Sequence, residues 1–269
     1  MSAPVAVATE LRAPVQPRSR PVQQWWTLSG RGVATVFRNG EFVFAFLSPV
    51  LLAVCFYLPL SSVMDVYGVD YAQFLMPIIV LQSVGFAASS AAMRASWDDT
   101  AGINTRFRAL PMPPIVPMFA RLTTNAFLLV VSVFCATIAC LVIGWRPMGG
   151  AVGTLSLYAV AIIVGLLIAL LADGIGLVAG SPQATSQALM LPSLILGMTS
   201  SGFVPVAQFP EWIQPFVRNQ PISQFVNVMR ASDSGDLTVE ILTPTLWWCV
   251  GMFVAAILLM RFGNRKVRA

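Results

Sequence analysis

Six stretches of about twenty mostly apolar residues recur along the 269-residue chain, at about 42–60, 74–93, 122–144, 152–172, 188–206 and 246–262. Each has the length a helix needs to cross roughly 30 Å of hydrocarbon. The pattern predicts an all-α membrane protein with six transmembrane helices. Between the second and third stretches lies a charged interruption, RASWDDTAGINTRFRALPMPP, from Arg94 to Pro114. If both flanking stretches cross, this interruption is a loop held at one membrane face, close to the lipid surface.

The connecting pieces refine the picture. Residues 1–23 hold no apolar core of the 7–15 residues that a signal peptide requires and are expected to form a disordered cytoplasmic tail, ahead of a single membrane domain over 24–269. From Gln24 to Glu41, Trp25, Trp26, Leu28, Val33, Val36 and Phe37 alternate with Arg31, Arg38 and Asn39, which suits an amphipathic helix in the headgroup region; an ordinary flank of the first span is the alternative. Pro49 and Pro59 fall inside the first span, and neighbouring helices must satisfy the carbonyls they free. The run Ala87, Ala88, Ser89, Ser90, Ala91, Ala92 predicts close helix packing. Asp173-Gly174 ends the fourth span, with an extended polar piece expected up to Ser181-Pro182-Gln183. Segment 207–242 is amphiphilic and too polar to span.

Composition supports the membrane assignment, with 57% hydrophobic and only 10% charged residues, against about 45–50% apolar in soluble domains. Cys55, Cys135, Cys140 and Cys249 all lie in apolar blocks and read as small buried residues rather than a disulfide framework. The net charge of +5 sits beside the spans, where lipid headgroups account for it better than nucleic acid does. Thirteen of the sixteen Lys and Arg fall before the first span, in the 94–121 loop or in the tail; Arg146, Arg218 and Arg230 are the others. The positive-inside rule then places both termini and the charged loop in the cytoplasm, and 207–242 outside.

The search for chemistry returns absences. There is no G-x-x-x-x-G-K-[ST] phosphate loop, no His or Cys set at metal-ligand spacing, and no histidine at all for a Ser–His pair. Asp98 and Asp99 are adjacent, so on a helix they point about 100° apart. No span carries an ionisable residue near its centre, as an ion-coupled carrier would; Asp173 and Arg121 are expected at span ends. An enzyme and a self-powered efflux pump are disfavoured. A membrane subunit that takes its energy from another chain is favoured, and a scaffold or immunity protein without transport is the alternative from another class.

Three regions carry a family resemblance: Phe37-Arg38-Asn39-Gly40-Glu41; Leu81-Gln82-Ser83-Val84-Gly85-Phe86-Ala87-Ala88 through Arg94, Asn104, Arg106, Phe107 and Met112-Pro113 to Ala120-Arg121; and Gly202-Phe203-Val204-Pro205 with Phe209-Pro210-Glu211-Trp212-Ile213-Gln214-Pro215-Phe216-Val217-Arg218-Asn219-Gln220-Pro221-Ile222-Ser223-Gln224-Phe225-Val226, closing at Arg230. Beyond Gln23 nearly the whole chain resembles the ABC-2-type transporter permeases, within them the daunorubicin-resistance membrane subunits of the B type found in mycobacteria. The resemblance implies six spans, an N-terminal interfacial helix, a cytoplasmic coupling helix between spans two and three, and an extracytoplasmic re-entrant helical hairpin before span six. It also implies a plasma-membrane exporter of complex envelope lipids or hydrophobic drugs, built from two permease subunits, identical or homologous, and two copies of a separate ATPase. ATP and Mg would be bound by that ATPase, and this chain would hold no cofactor.

Two residue sets follow. Asp98, Asp99, Gly102, Ile103, Arg106, Phe107 and Leu110 are expected at the ATPase contact: Ile103, Phe107 and Leu110 have the i, i+4, i+7 spacing of one helical face that can seat in a groove. Asp98 to Gly102 also matches the acidic-x-x-x-Gly pattern of many relatives, leaving Asp98 or Asp99 as its acidic member. A solvated loop that merely obeys the charge rule is the plainer reading. Phe203, Pro205, Phe209, Pro210, Trp212, Asn219, Pro221 and Phe225 are expected in the outer hairpin, either as packing or as a gate for the exported molecule. Met76, Phe86, Phe127, Phe134, Met190 and Met198 could line a permissive path or face lipid.

Overall fold

The computed structural model describes residues 20–109, 112–113, 115–179 and 181–266, with the side chains of 99, 104, 105, 108, 190 and 264–266 not among them. The expected tail lies outside the described residues up to 19, as do Leu110 and the side chains of Asp99 and Met190. All regular structure described is helical. Among the described residues, five helices are long and apolar enough to cross a membrane: α2 (Glu41–Val66), α3 (Tyr71–Thr100), α5 (Ile115–Ile143), α6 (Gly150–Ala179) and α10 (Val239–Lys266).

Helix α3 is the axis of the bundle. It packs against α2, α5, α6 and α7 (Pro182–Met198), and Leu75, Met76, Ile78, Ile79, Val80, Leu81 and Val84 on it are buried. Its small-residue run does what the sequence predicts. Ala88 and Ala92 pack with Ala169 and Ala172 of α6, and Gly176 lies so close that a Cβ there would stand 2.6 Å from the Ala92 carbonyl oxygen. In contrast, α2 and α10 are the least buried of the five and expose Phe44, Leu51, Leu58, Trp247, Phe253 and Leu258.

Helix α1 (Pro21–Arg38) begins with proline in its first turn, where no N–H is needed, and lies along α5. Trp25 Nε1 donates to Thr123 Oγ1 at 3.1 Å, Gly32 packs directly on Thr124, and Val36 is buried with Ala45, Ala87 and Leu128. Trp26, Arg31, Phe37 and Arg38 stay exposed. The chain then turns at Gly40, whose φ of +74° is the left-handed conformation glycine adopts without penalty.

Several expected boundaries move. Arg94 is not in a loop: α3 continues to Thr100. Helix α6 does not end before Asp173 but runs to Ala179. Gly174, expected at the end of the span, and Gly176 are contact points inside the helix, Gly174 against Leu259 and Gly176 against Ala92; tertiary packing overrides their poor helix propensity. Helix α7 starts earlier than expected, capped by Ser181, whose Oγ accepts the Ala184 N–H at 3.2 Å. It spans 17 residues, about 25 Å, and stops at Met198 rather than near 206. Beyond it Ser200, Ser201, Gly202 and Phe203 are buried without being helical. Their backbone is satisfied from elsewhere, the Ser201 N–H by Ser223 Oγ at 2.9 Å and the Gly202 N–H by Ser200 Oγ at 3.2 Å. A short 3-10 turn (Val206–Gln208), α8 (Gln214–Asn219) and α9 (Pro221–Ser234) lead to α10.

Candidate functional site

The end of the bundle where α2 begins and α3 ends carries a polar junction inside otherwise apolar helices. Arg94 and Asp98 are four apart on α3, and Arg121 and Asn125 are four apart on α5, so each pair occupies one helical face. The two faces meet. Arg94 forms an ion pair with Glu41 in the first turn of α2, and its Nη2 donates to Asn125 Oδ1 at 2.8 Å. Asn125 Nδ2 donates in turn to Asp173 Oδ2 on α6 at 3.2 Å. Arg121 stands 3.9 Å from Asp98. Four helices are tied by one chain of charged and amide groups, with Asn125 buried and Glu41 and Arg94 only 15% and 17% exposed at their side chains.

Local sequence explains the geometry. Gly40 resets the chain direction so that Glu41 enters α2 at its N-terminus, where the helix dipole favours a carboxylate. Buried pairs of this kind add little net stability while intact, but removing one partner strands a charge at a cost of about 3–5 kcal/mol. The junction therefore fixes which helix ends sit together.

Beside the junction lies a cavity of about 640 Å³ between α1, α2, α3 and α5. Leu28, Phe44, Phe86, Met93, Trp97 and Phe107 give it apolar walls, and the junction residues give it a polar base. Among the described residues, no three His, Cys, Asp or Glu side chains converge as a metal site requires.

Helix α4 (Ile103–Ala109) hangs at this end, packed on α3. Gly102, at φ +67°, makes the turn between them, which is a conformational reason for glycine at the position. Of the residues expected at an ATPase contact, Asp98 faces Arg121, Ile103 is half-buried, Phe107 lines the cavity, and Arg106 is exposed. Asp99 and Leu110 fall outside what is described. Trp97 is 57% exposed at the edge.

At the opposite end, the residues expected in the outer hairpin divide. Phe203 and Phe225 belong to the main core, with Phe203 stacked on Phe56 at 4.0 Å and its carbonyl accepting from Tyr71 Oη at 3.1 Å. Pro205 and Phe209 are half-buried, and Pro221 opens α9. Pro210 and Asn219 are exposed, and Trp212 is 80% exposed.

The organising residue here is one that sequence reasoning left at the edge of a motif. Arg230 on α9 lies 3.6 Å from the Phe74 ring centroid. It donates to the carbonyls of Phe74 (2.9 Å), Ser201 (2.9 Å) and Gly202 (3.0 Å). Its guanidinium is a cation at neutral pH. The broken stretch after α7 is thus closed by an arginine fork. The Thr-Ser-Ser-Gly run at 199–202 was the available sequence sign of that break. Nearby, Trp145 Nε1 donates to Asp233 Oδ2 at 3.0 Å and ties the α5–α6 turn to α9.

Comparison with known proteins gives a consistent result. The sequence profile described as ABC-2 type transporter matches residues 23–233. The chain is 33% identical over 251 residues to the doxorubicin resistance ABC transporter permease protein DrrB of Mycobacterium tuberculosis, an alignment covering 86% of this chain and 85% of that protein. It is 24% identical over 223 residues to the probable doxorubicin resistance ABC transporter permease protein DrrC of the same species, covering 82% and 80%. It is 26% identical over 161 residues to the daunorubicin resistance ABC transporter permease protein DrrB1 of Streptomyces coeruleorubidus, covering 60% and 57%.

Proposed function

The chain belongs to the ABC-2 type transporter family, and we propose that it is the permease subunit of an exporter driven by a separate ATPase that docks on α4. The observation that carries this reading is α4 itself. A short helix hangs from α3 through a glycine turn, directly beside the charged junction that joins α2, α3, α5 and α6. A push on α4 reaches the end of α3, and through Arg94 and Asp98 the ends of three other helices.

In this reading the ATPase, in two copies, holds ATP and Mg, and two permease subunits pair in the plasma membrane with their termini in the cytoplasm. Helix α7 is the sixth crossing, its 17 residues completed by the Arg230-anchored stretch. The 3-10 turn, α8 and α9 form an outer re-entrant hairpin, whose irregular backbone is tolerable at membrane depth because protein groups satisfy it. The cargo is an amphiphile or a hydrophobic drug. The names of the relatives support the drug; the apolar, charge-poor middle of the bundle supports either. ATP binding would shift the pair between inward and outward access through the different contacts the ATPase makes in each state.

Affinity purification of the tagged chain with mass spectrometry tests the partner directly. The expected result is co-purification of a soluble protein carrying a phosphate-binding loop. Intact membranes that yield this chain with no such partner would contradict the reading.

A further inference from the structure

The cavity beside the junction is not required by the docking of an ATPase on α4, and its construction points to a ligand. Its volume, about 640 Å³, lies within the roughly 300–1,000 Å³ typical of small-molecule sites. Its two halves differ chemically. Phe44 and Phe86, on the spanning parts of α2 and α3, are 70% and 49% exposed, so the apolar walls reach the lateral surface that hydrocarbon would cover. The base, at the helix ends, is lined by Arg31, Arg94 and Arg121 and by Glu41, Asp98 and Asp173. Three guanidinium groups face three carboxylates, and Arg94 with Glu41 and Arg121 with Asp98 already neutralise one another. A head group bearing a net charge of either sign gains little field there and must be stripped of water to enter. A head group of zero net charge recovers more of that cost, because its polar or paired charged groups can meet both the guanidinium and the carboxylate side chains of the base.

We propose that this cavity binds one amphiphile from the membrane side, its apolar body against Leu28, Phe44, Phe86 and Met93 and its hydrogen-bonding head, of zero net charge, at the Arg94–Asn125–Asp173 base. The claim rests on the export reading only for what the bound molecule is for. Binding itself is measured without ATP or a partner, so failure to bind and failure to export are separate results.

The test uses the full-length chain in lipid nanodiscs, doped in turn with photoactivatable phosphatidylcholine (zwitterionic), glucosyl diacylglycerol (uncharged), phosphatidylglycerol (anionic) and a trimethylammonium diacylglycerol (cationic). After illumination, adducts are mapped by mass spectrometry. The expected result is labelling by one or both of the first two, concentrated on α1, α2 and α3 around residues 28, 44, 86 and 93, and which of the two labels distinguishes a zwitterionic from an uncharged head. Ser90→Trp, which fills the cavity from α3, is expected to reduce that labelling on the order of tenfold. Phe86→Ala, at a position 49% exposed, is expected to reduce it severalfold. Adducts spread along the exposed faces of α2 and α10 and unchanged by both variants would overturn the proposal, as would equal labelling of the cavity by the anionic or cationic lipid.

Discussion

The two ends of this bundle each bury arginine in an apolar protein, and they do so in opposite ways. At the α4 end, Arg94 is held by side chains, Glu41 and Asn125, which belong to separate helices. At the α9 end, Arg230 is held by backbone carbonyls of Phe74, Ser201 and Gly202 and by one aromatic ring. Side-chain partners can be exchanged by rotamer changes while every helix stays intact. Carbonyls of a broken segment cannot be released without leaving that segment's buried backbone unsatisfied. In physical terms the first network is the easier to rearrange and the second the harder. In an exporter driven from the α4 side, that asymmetry gives the moving part and the fixed part of one subunit.

The sharpest way to break the comparison is to remove each arginine in turn. Arg230→Ala takes a donor from the Ser201 and Gly202 carbonyls, each loss costing about 1–3 kcal/mol, and removes a cation–π contact worth up to about 2 kcal/mol. The expected outcome is the largest fall in thermal stability in detergent among the variants named here, with Arg230→Lys recovering only part, because a lysine cannot fork between carbonyls. If Arg230→Ala melts like the parent protein, the anchor has no structural weight.

Arg94→Met strands Glu41 and should destabilise by about 3–5 kcal/mol. Adding Glu41→Gln in the same chain is expected to restore most of that, since the double variant no longer buries a lone charge. A double-mutant cycle read by thermal unfolding gives the coupling, expected at about 3 kcal/mol or more, since it includes all the stability that the second substitution restores. The rescued double variant should fold and insert yet export poorly, because the helix ends have lost their exchangeable partners. A double variant that exports at the parental rate would remove the mechanical role assigned to the junction.

Trp212→Ala is the smallest perturbation. At 80% exposure the side chain contributes little to packing, and the stability change should stay within about 0.5 kcal/mol. A changed range of exported molecules at unchanged expression would make the outer segment a gate; a change in expression alone would leave it as packing.

The sequence made some of these features legible and hid others for identifiable reasons. Apolar block length and the alanine-serine run of α3 predict the bundle and one of its close helix contacts, because both are local patterns with one physical consequence. The end of α6 is hidden because Asp173-Gly174 looks like a stop until α10 and α3 are known to press on Gly174 and Gly176. The end of α7 is hidden because hydropathy continues through Phe203 and Val204 although the helix stops at Met198. The junction was hidden most completely. Arg94 and Arg121 are visible as charges that report topology, but Glu41 and Asp173, the carboxylate ends of the same network, lie 53 and 48 positions from the groups they bind, Arg94 and Asn125. The paired i, i+4 spacing of Arg94 with Asp98 and of Arg121 with Asn125 was the one trace of it. Phe107 shows the same difficulty: its spacing with Ile103 marks a helical face, while only the structure shows that its ring also lines the cavity.

The central claim, that α4 receives the force of a separate ATPase, is tested most directly by ATP hydrolysis in reconstituted vesicles containing the ATPase with this chain, with and without a transported amphiphile. Two variants are compared with the parent, Arg106→Glu on the exposed side of α4 and Phe107→Asp on the side that lines the cavity. The account predicts that both variants insert in membranes normally and that neither stimulates hydrolysis or export. Full stimulation of ATPase activity and export by both variants would contradict it.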